Sequence, residues 1–345
     1  METILLDIQN GEDIALRNIS HYQNQRFDVE GAAFKQCLLE NNRFVESNWN
    51  DSTFENVFFS HVQWQNCDFE NLLFHRCKFI NVMFEVTAIA KINFINCEFK
   101  NCTFDGVTLA ETAINSSPSA ELEFKNAEIN RLVFGLNQNT RLNFVNSNVE
   151  HILLNGFDFQ GFRFDSSVFE NLVAYQSVLE GLDFSGLNLK RSQFSESEVS
   201  NCKFIAADLS DCSFALCQLK NNDFSNANLS RAMFVGAKLE LNNFSKAQLD
   251  GSAFSNAELI RTNFTEITAQ MFVAREARFH QCSFAKSKIA LSDFAYSLFE
   301  DSDFSNTVLH RVSMQGVIKN NTKISSLGVL DEDRELSKAD LWILS

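Results

Sequence analysis

A large apolar residue returns at every fifth position of this chain from Phe34 to Met314. The residues whose numbers end in 4 are mostly Phe, and those whose numbers end in 9 are mainly Leu, Ile, Val, Phe or Trp. Two positions before each of these centres the residue is usually small, and the other three positions are polar or mixed. A period of five fits neither one helix face, at about 3.6, nor a strand, at about 2. The pattern therefore indicates a tandem repeat with two inward and three outward positions.

The repeat resembles the A-(D/N)-L-x-x pattern of pentapeptide-repeat proteins, as in Ala207-Asp208-Leu209-Ser210-Asp211 and Ala227-Asn228-Leu229-Ser230-Arg231. The resemblance implies an all-β fold, a right-handed quadrilateral parallel β-helix with four pentapeptides per coil and about 14 coils. Residues 20 apart would then stack, and the column from Phe44 to Phe304 in steps of 20 is aromatic throughout. We expect a ladder of rings about 4.8 Å apart.

Low glycine and proline usage, 12 and 1 residues, argues against linkers and for one long array between two caps. We expect an N-terminal cap over residues 1–30, the β-helix over 31–318 and a C-terminal cap or helix over 319–345. The C-terminal segment carries apolar residues that either cap the last coil or join two chains into a homodimer, as the resemblance to the quinolone-resistance branch implies. These candidates are Leu336, Leu341, Trp342, Ile343 and Leu344.

Ser119 and Asn139 replace apolar centres 20 residues apart. The segments 115–121 and 135–141 are therefore predicted to bulge outward as short loops, which are either contact sites or neutral defects. The loop candidates are Ser117, Pro118, Ser119, Gln138 and Asn139. Large residues in the small row from Leu122 to Leu182 also predict a change in coil cross-section or a bend near residues 120–190. Where an Asn or Asp precedes a centre, we expect its side chain to bond to the backbone at a corner.

No catalytic motif is evident, and the cysteines and histidines lie on opposite sides of the repeat. All nine cysteines occupy the small inward row, whereas the histidines inside the array occupy outward positions. A shared Cys/His zinc site is therefore not expected, and free buried thiols suit a reducing cytoplasm. We predict a protein that is not an enzyme and needs no cofactor.

The formal net charge of −15 disfavours direct binding to nucleic acid or an anionic membrane and favours a basic partner, although acidity also promotes solubility. Residues 1–70 hold 12 acidic against 4 basic side chains, and no Lys or Arg lies between Phe164 and Leu189. The candidate partner-binding acidic residues are Glu40, Glu46, Asp51, Glu55, Glu70, Asp165, Glu170 and Glu180.

Two functions follow from these features. The first is a protein-binding rod that acts as a scaffold, an adaptor or a secretion-associated effector, using its loops and ends to bind another protein such as a secretion component. The alternative, implied by the resemblance, is a DNA mimic that occupies the basic DNA-binding surface of DNA gyrase or another topoisomerase and protects it from quinolone-type inhibitors. The N terminus lacks the basic start of a signal peptide, so we expect a cytoplasmic protein, with secretion by a route without a classical signal as the alternative.

Overall fold

The computed structural model describes residues 2–135, 140–324 and 327–330. It is an all-β parallel solenoid of about 15 turns, and the helix it describes, α1, spans Glu2–Gln9. Every described strand pair is parallel, with partners that lie 20 residues apart almost throughout. The all-β, parallel β-helix predicted from the five-residue pattern is confirmed.

Nearly every described five-residue unit turns at one left-handed residue. Apart from Gly328, every described residue with a positive φ has a number ending in 1 or 6, from Gly11 to Asn321. Asn is frequent there, for instance Asn41 at φ 53° and Asn226 at φ 58°, because Asn tolerates this conformation better than most residues. The Asn226 N–H then donates to the carbonyl of Ser245 on the next coil at 3.0 Å. Four such corners close a 20-residue coil.

The four sides of the coil are named by their inward centres. Face A holds centres 14, 34 and so on to 314, and face B holds 19, 39 and so on to 299. Face C holds 44, 64 and so on to 304, and face D holds 29, 49 and so on to 309. The chain divides into two compact units, Met1–Val173 and Ala174–Ser345.

Most strands of unit 1 are three residues long and run in ladders along the four faces. The short strands are β1 Ile14–Ala15, β2 Asn18–Ser20, β3 Gln23–Gln25, β4 Ala33–Lys35, β5 Leu38–Glu40, β6 Arg43–Val45, β7 Thr53–Glu55, β8 Phe58–Ser60, β9 Gln63–Gln65, β10 Asp68–Glu70, β11 Leu73–His75, β12 Lys78–Ile80, β13 Met83–Glu85, β14 Ala88–Ala90, β15 Asn93–Ile95, β22 Arg163–Asp165 and β23 Val168–Glu170.

Between Glu98 and Leu153 the strands lengthen, because they run through corners that elsewhere separate two faces. They are β16 Glu98–Asp105, β17 Thr108–Asn115, β18 Ser119–Lys125, β19 Glu128–Gly135, β20 Thr140–Val145 and β21 Asn148–Leu153. Leu122, Leu132 and Leu142 fill the interior here and are almost fully buried. The lengthened strands overlap only part of residues 120–190, and the predicted change in cross-section or bend there stays a prediction.

The prediction of an outward loop at residues 115–121 is wrong. The corner lies at Ser116, as elsewhere in the repeat; Ser117 is buried, and the exposed Pro118 directly precedes Ser119, where β18 begins. The pairing of β18 with β16 slips by one residue, so that Ala120, with none of its surface exposed, replaces Ser119 as the inward residue opposite Phe99. A β-bulge therefore takes up the irregularity. Gln138 and Asn139, in the second predicted loop, lie outside the described residues.

In unit 2 the named strands follow faces B and D. They are β24 Val178–Glu180, β25 Glu198–Ser200, β26 Gln218–Lys220, β27 Lys238–Glu240, β28 Glu258–Ile260, β29 Thr268–Gln270, β30 Arg278–His280, β31 Lys288–Ala290, β32 Leu298–Glu300, β33 Val308–His310 and β34 Ile318–Asn320. Faces A and C are held by single parallel bridges such as Asp223↔Asn243. Here the predicted side-chain bonds at corners are confirmed: the Asp183 carboxylate accepts the N–H of Ser185 at 3.0 Å, and Asn243 accepts that of Ser245 at 3.1 Å.

Stacked rings fill the interior of each unit. On face C of unit 1, Phe84 and Phe104 stack at 4.5 Å, and in unit 2 Phe204 and Phe224 stack at 4.7 Å. The predicted ring ladder is confirmed in both, with one exception near residue 164. There the buried Phe162 contacts Phe144 at 5.7 Å, and Phe164 is half-buried.

The small inward row bonds to the backbone of earlier coils. Ser302, for example, accepts the N–H of Cys282 through Oγ at 3.2 Å, and its hydroxyl lies 3.0 Å from the carbonyl of Glu300 and 3.4 Å from that of Phe279 on the earlier coil, to either of which it can donate. Asn222 and Asn242, beside face C of unit 2, make the same kinds of bond with longer side chains. Asn242 accepts the N–H of Asn222 and donates to the carbonyl of Leu219, and Asn222 donates to the carbonyl of Val199. Because these groups are buried, each needs such a partner.

The ladder begins at Ile14, inside the segment predicted as an N-terminal cap over residues 1–30. Ile14 and Ile19 are buried at inward positions, and β1 and β2 already pair with β4 and β5. Among the described residues, only α1 and the turn after it precede the first coil. The predicted C-terminal helix and the apolar residues Leu336, Leu341, Trp342, Ile343 and Leu344 lie outside the described residues.

Candidate protein-interaction site on face D of unit 1

Face D of unit 1 gathers most of that unit's excess negative charge. Its outward positions hold nine carboxylates against two cations, Lys91 and Arg131. The corresponding counts are two against two on face A, four against three on face B and five against four on face C. Among the described residues of unit 2, no face has more than two carboxylates in excess. The nine are Asp28, Glu30, Asp51, Asp68, Glu70, Glu111, Glu128, Glu150 and Glu170, and all but the half-buried Glu170 are exposed.

Amides separate the carboxylates in the first coils of this face. Down one column the residues are Asp28, Asn48 and Asp68, and down the other they are Glu30, Asn50 and Glu70. Carboxylates in one column are therefore two coils apart, about 9.6 Å at the usual strand spacing. That is close to a Debye length at physiological salt, so repulsion within a column is weakened.

Neighbouring side chains hold the carboxylates in place. The Asn48 amide donates to Glu30 at 2.9 Å, and the Asn148 amide donates to Glu128 at 3.1 Å. Lys91 Nζ lies 2.6 Å from Glu70, which raises the pKa of Lys91. The carboxylates are thus oriented before a partner arrives, which lowers the entropy lost on binding.

The eight acidic residues singled out in the sequence do not form one surface. Asp51, Glu70 and Glu170 lie on face D of unit 1. Glu55 lies on face A, Glu40 on face B, Glu46 and Asp165 on face C, and Glu180 on face B of unit 2. Six members of the acidic face were missed: Asp28, Glu30, Asp68, Glu111, Glu128 and Glu150. Sorting the acidic residues by their position in the 20-residue coil would have found them.

The cysteines take no part in this surface. All nine are free and buried, as predicted from the repeat, and each donates its thiol to the carbonyl 23 residues earlier, at 2.8 Å for Cys217 and 3.7 Å for Cys67. Burial raises the pKa of Cys67, Cys102 and Cys202 to about 11. Within the described ranges, no three His, Cys, Asp or Glu side chains are grouped so that they could hold a metal ion.

These thiols should be unreactive in the folded protein. With a pKa of about 11, only about one thiol in a thousand is ionised at pH 8, and the thiolate is the reacting form. We expect Ellman's reagent at pH 8 to label less than one thiol per chain within an hour, and all nine in 6 M guanidinium chloride. Rapid labelling of two or more thiols in the folded protein would contradict their placement in the core.

Family models match three stretches of the chain. "Pentapeptide repeats (8 copies)" matches residues 175–211, "Pentapeptide repeat region" matches 207–271, and "SV2A/B/C luminal domain" matches 16–104. No curated protein matches the chain. Of the helices within the described ranges, none has the length and apolar character needed to cross a membrane.

Several solved structures are similar over part or most of the chain. A trypsin-treated variant of QnrB1, a plasmid-mediated fluoroquinolone resistance protein, is 17% identical with a TM-score of 0.35, over 57% of this chain and 97% of its own. HetL, a pentapeptide-repeat protein involved in heterocyst differentiation in Nostoc sp. strain PCC 7120, is 11% identical with a TM-score of 0.22, over 94% and 99%. A pentapeptide-repeat protein of the Arabidopsis thaliana thylakoid lumen is 32% identical with a TM-score of 0.22, over 26% and 66%.

The repeat models and the coil geometry agree on the same five-residue unit. Residues 175–271 match the repeat models, and a left-handed corner at almost every fifth residue carries the same unit through both halves of the chain. In its five-residue unit and its parallel β-solenoid fold, this chain is thus similar to the pentapeptide-repeat proteins.

Proposed function

We propose that the protein is a non-enzymatic scaffold or adaptor whose acidic face, face D of unit 1, docks a basic surface of a protein partner. The observation that carries the proposal is the excess of nine carboxylates over two cations on that one face. Complementary charge over such a face raises the association rate and selects against acidic partners. The nine free thiols support a reducing location, and we propose the cytoplasm.

A DNA mimic directed at gyrase or another topoisomerase is the second candidate, and the same acidic face favours it. The charge density of the face makes the DNA mimic a weaker candidate than the scaffold. B-DNA carries about one charge per 1.7 Å of axis over both strands, or about one per 3.4 Å along each strand. Face D of unit 1 spreads nine carboxylates and two cations over eight coils, about 34 Å, so its net charge is roughly one per 5 Å. Such a surface suits a moderately basic partner better than a DNA-binding saddle.

Two matched quadruple variants test the docking face. One neutralises Asp28, Glu30, Asp68 and Glu70 to Asn or Gln. The control neutralises Glu40, Glu46, Glu55 and Asp165, which changes the net charge equally but lies on the other three faces of unit 1. Affinity purification at 150 mM salt should recover the same partner with wild type and control, and lose it with the face D variant. Equal recovery with both variants would overturn the proposal.

An assay of gyrase activity tests the second candidate. In a supercoiling assay with and without a fluoroquinolone, a gyrase-directed mimic should inhibit the enzyme or protect it, and the face D variant should do so more weakly. A scaffold with another partner should leave supercoiling unchanged in both conditions. Inhibition or protection by the wild type, lost in the face D variant, would replace the scaffold proposal with the mimic.

A further inference from the structure

An apolar stripe runs diagonally across face A of unit 2, from the corner with face B to the corner with face D. It consists of Leu216, Met233, Val235, Met271, Val273 and Leu291. All but the half-buried Val273 are exposed, from 37% of the surface of Val235 to 60% of that of Leu216. Ala253 pairs with both Met233 and Val273, so the stripe is continuous across the coil between them. A contiguous exposed apolar surface marks a contact site more often than scattered apolar residues do.

Charged side chains are fewer on face A than on any other face of unit 2. Among the described residues, its outward positions hold four, against ten on face B and eight on each of faces C and D. Between Glu196 and Arg275 the face carries none. Arg275 pairs with Asp293 at 2.7 Å, so its charge is already neutralised. The stripe therefore suits an apolar occupant.

The stripe is too narrow for a stable interface between two separate molecules. It crosses five coils, about 24 Å, and is about 10 Å wide, which gives roughly 250 Å². A standard interface buries about 800 Å² on each partner. A segment of the same chain needs less contact area, because its tether holds it at a high effective concentration. The occupant is therefore expected to be part of this chain.

The last described residues lie at the foot of the stripe. Val329 bridges Val312, and the Leu330 N–H donates to the carbonyl of Val312 at 2.8 Å. Val312 lies at the start of face A, one coil beyond the coil that holds Leu291. Residues 331–345, which lie outside the described residues, follow from this point.

The distance from Leu330 to the stripe matches the length that the following segment would have as a helix. At a rise of about 1.5 Å per residue, Leu336 would lie about 9 Å and Leu344 about 21 Å from Leu330. The coils of Leu291 and Met233 lie about 10 Å and 24 Å from the level of Leu330 at the usual strand spacing. The apolar residues of the segment would therefore reach the stripe.

The sequence of residues 331–345 suits a helix in this place. Leu336 and Ile343 are seven residues apart and so share one helix face. Acidic residues fill positions 331–333, where they favour a helix start and would lie near the exposed Arg311 at the foot of the stripe. From the exposed stripe, its narrow area and this match in length and charge, we propose that residues 331–345 dock along it as an amphipathic helix.

Cysteine cross-linking in the full chain tests the docking. Ile343→Cys is combined with Ala253→Cys on face A, or with Asn263→Cys, a half-buried residue at the matching position of the opposite face C. After oxidation with copper phenanthroline, we expect the face A pair to form at least about five times more intrachain disulfide than the control pair, because docking raises the local thiol concentration. Equal yields, or no disulfide in either pair, would overturn the proposal. A cross-linked dimer would assign the segment to a second copy and would overturn it as well.

Tryptophan fluorescence provides a second test without new cysteines. The chain has three tryptophans, and Trp49 and Trp64 are fully buried in unit 1, so quenching by acrylamide reports mainly on Trp342. Met271→Asp should raise the quenching constant by about threefold or more, because the docked helix would have to bury a charge. Ile260→Asp is the control, because Ile260 is an exposed apolar residue on face B, and it should leave quenching unchanged. Equal quenching of both variants and the wild type would count against docking on this stripe.

Discussion

Replacing Phe224 with alanine is expected to lower the free energy of unfolding by about 3–5 kcal/mol. Phe224 is fully buried on face C of unit 2. Its ring stacks on Phe204 and on Phe244, each at 4.7 Å, and meets Phe214 edge to face at 5.7 Å. Coils locked by their backbone ladders cannot close the resulting cavity, so the loss should lie near the upper end.

Urea denaturation followed by circular dichroism measures the loss, and hydrogen exchange should place it in the coils around residues 204–244, since each repeat contacts mainly its neighbours. Phe224→Leu keeps most of the volume and should cost only about 1–2 kcal/mol. The exposed Gln218→Ala should change stability by less than about 0.5 kcal/mol. A loss below about 1 kcal/mol for Phe224→Ala would mean that the coil collapses around the missing ring.

Asn242→Ala is expected to cost about 2–4 kcal/mol through lost hydrogen bonds, because it leaves buried polar groups without partners. The Asn242 side chain accepts the backbone N–H and the side-chain amide of Asn222, both at 3.0 Å, and donates to the carbonyl of Leu219 at 2.9 Å. Asn242 is 1% exposed, so water cannot replace these partners.

A serine at this position should recover about half of that loss. Ser302 occupies the same place three coils later, where its hydroxyl accepts one backbone N–H and donates to one carbonyl. Asn242→Ser should therefore restore the backbone acceptor and leave only the side-chain amide of Asn222 to be satisfied. Asn243→Ala, on the outward neighbour, should cost under about 1 kcal/mol. Equal losses for the alanine and serine variants, measured by urea denaturation, would contradict the bridging role.

The phase of the apolar residues was enough to predict the core. Once a centre is assigned at every fifth position, the inward placement of Phe224 and of Cys217 follows, and both are buried. The corners were only partly foreseen. The pattern shows where a turn must occur, but a residue such as Val86, at φ 47°, gives no local sign of a left-handed conformation, which the closed coil imposes.

The site was harder to predict than the fold, because it depends on which residues share a face. Glu30 and Glu70 lie 40 residues apart and therefore in one column, whereas Glu40 lies between them in sequence but on another face. The bulge at Ser119 was also beyond the pattern. A polar residue at a centre can be accommodated by an outward loop or by a one-residue shift in strand register. The pairing of Ala120 with Phe99 and the burial of Ala120 show the register shift.

The left-handed corner at almost every fifth residue sets the step by which this chain could change length. An insertion or deletion that is not a multiple of five would place apolar centres at corners and break the core. A change of five would keep the core but turn every later pentapeptide of that unit onto the next face, scattering the carboxylates of face D over two surfaces. Only steps of twenty residues preserve both the core and the acidic face. Evolution could therefore lengthen unit 1 by one whole coil at a time and keep the carboxylates of face D on one surface.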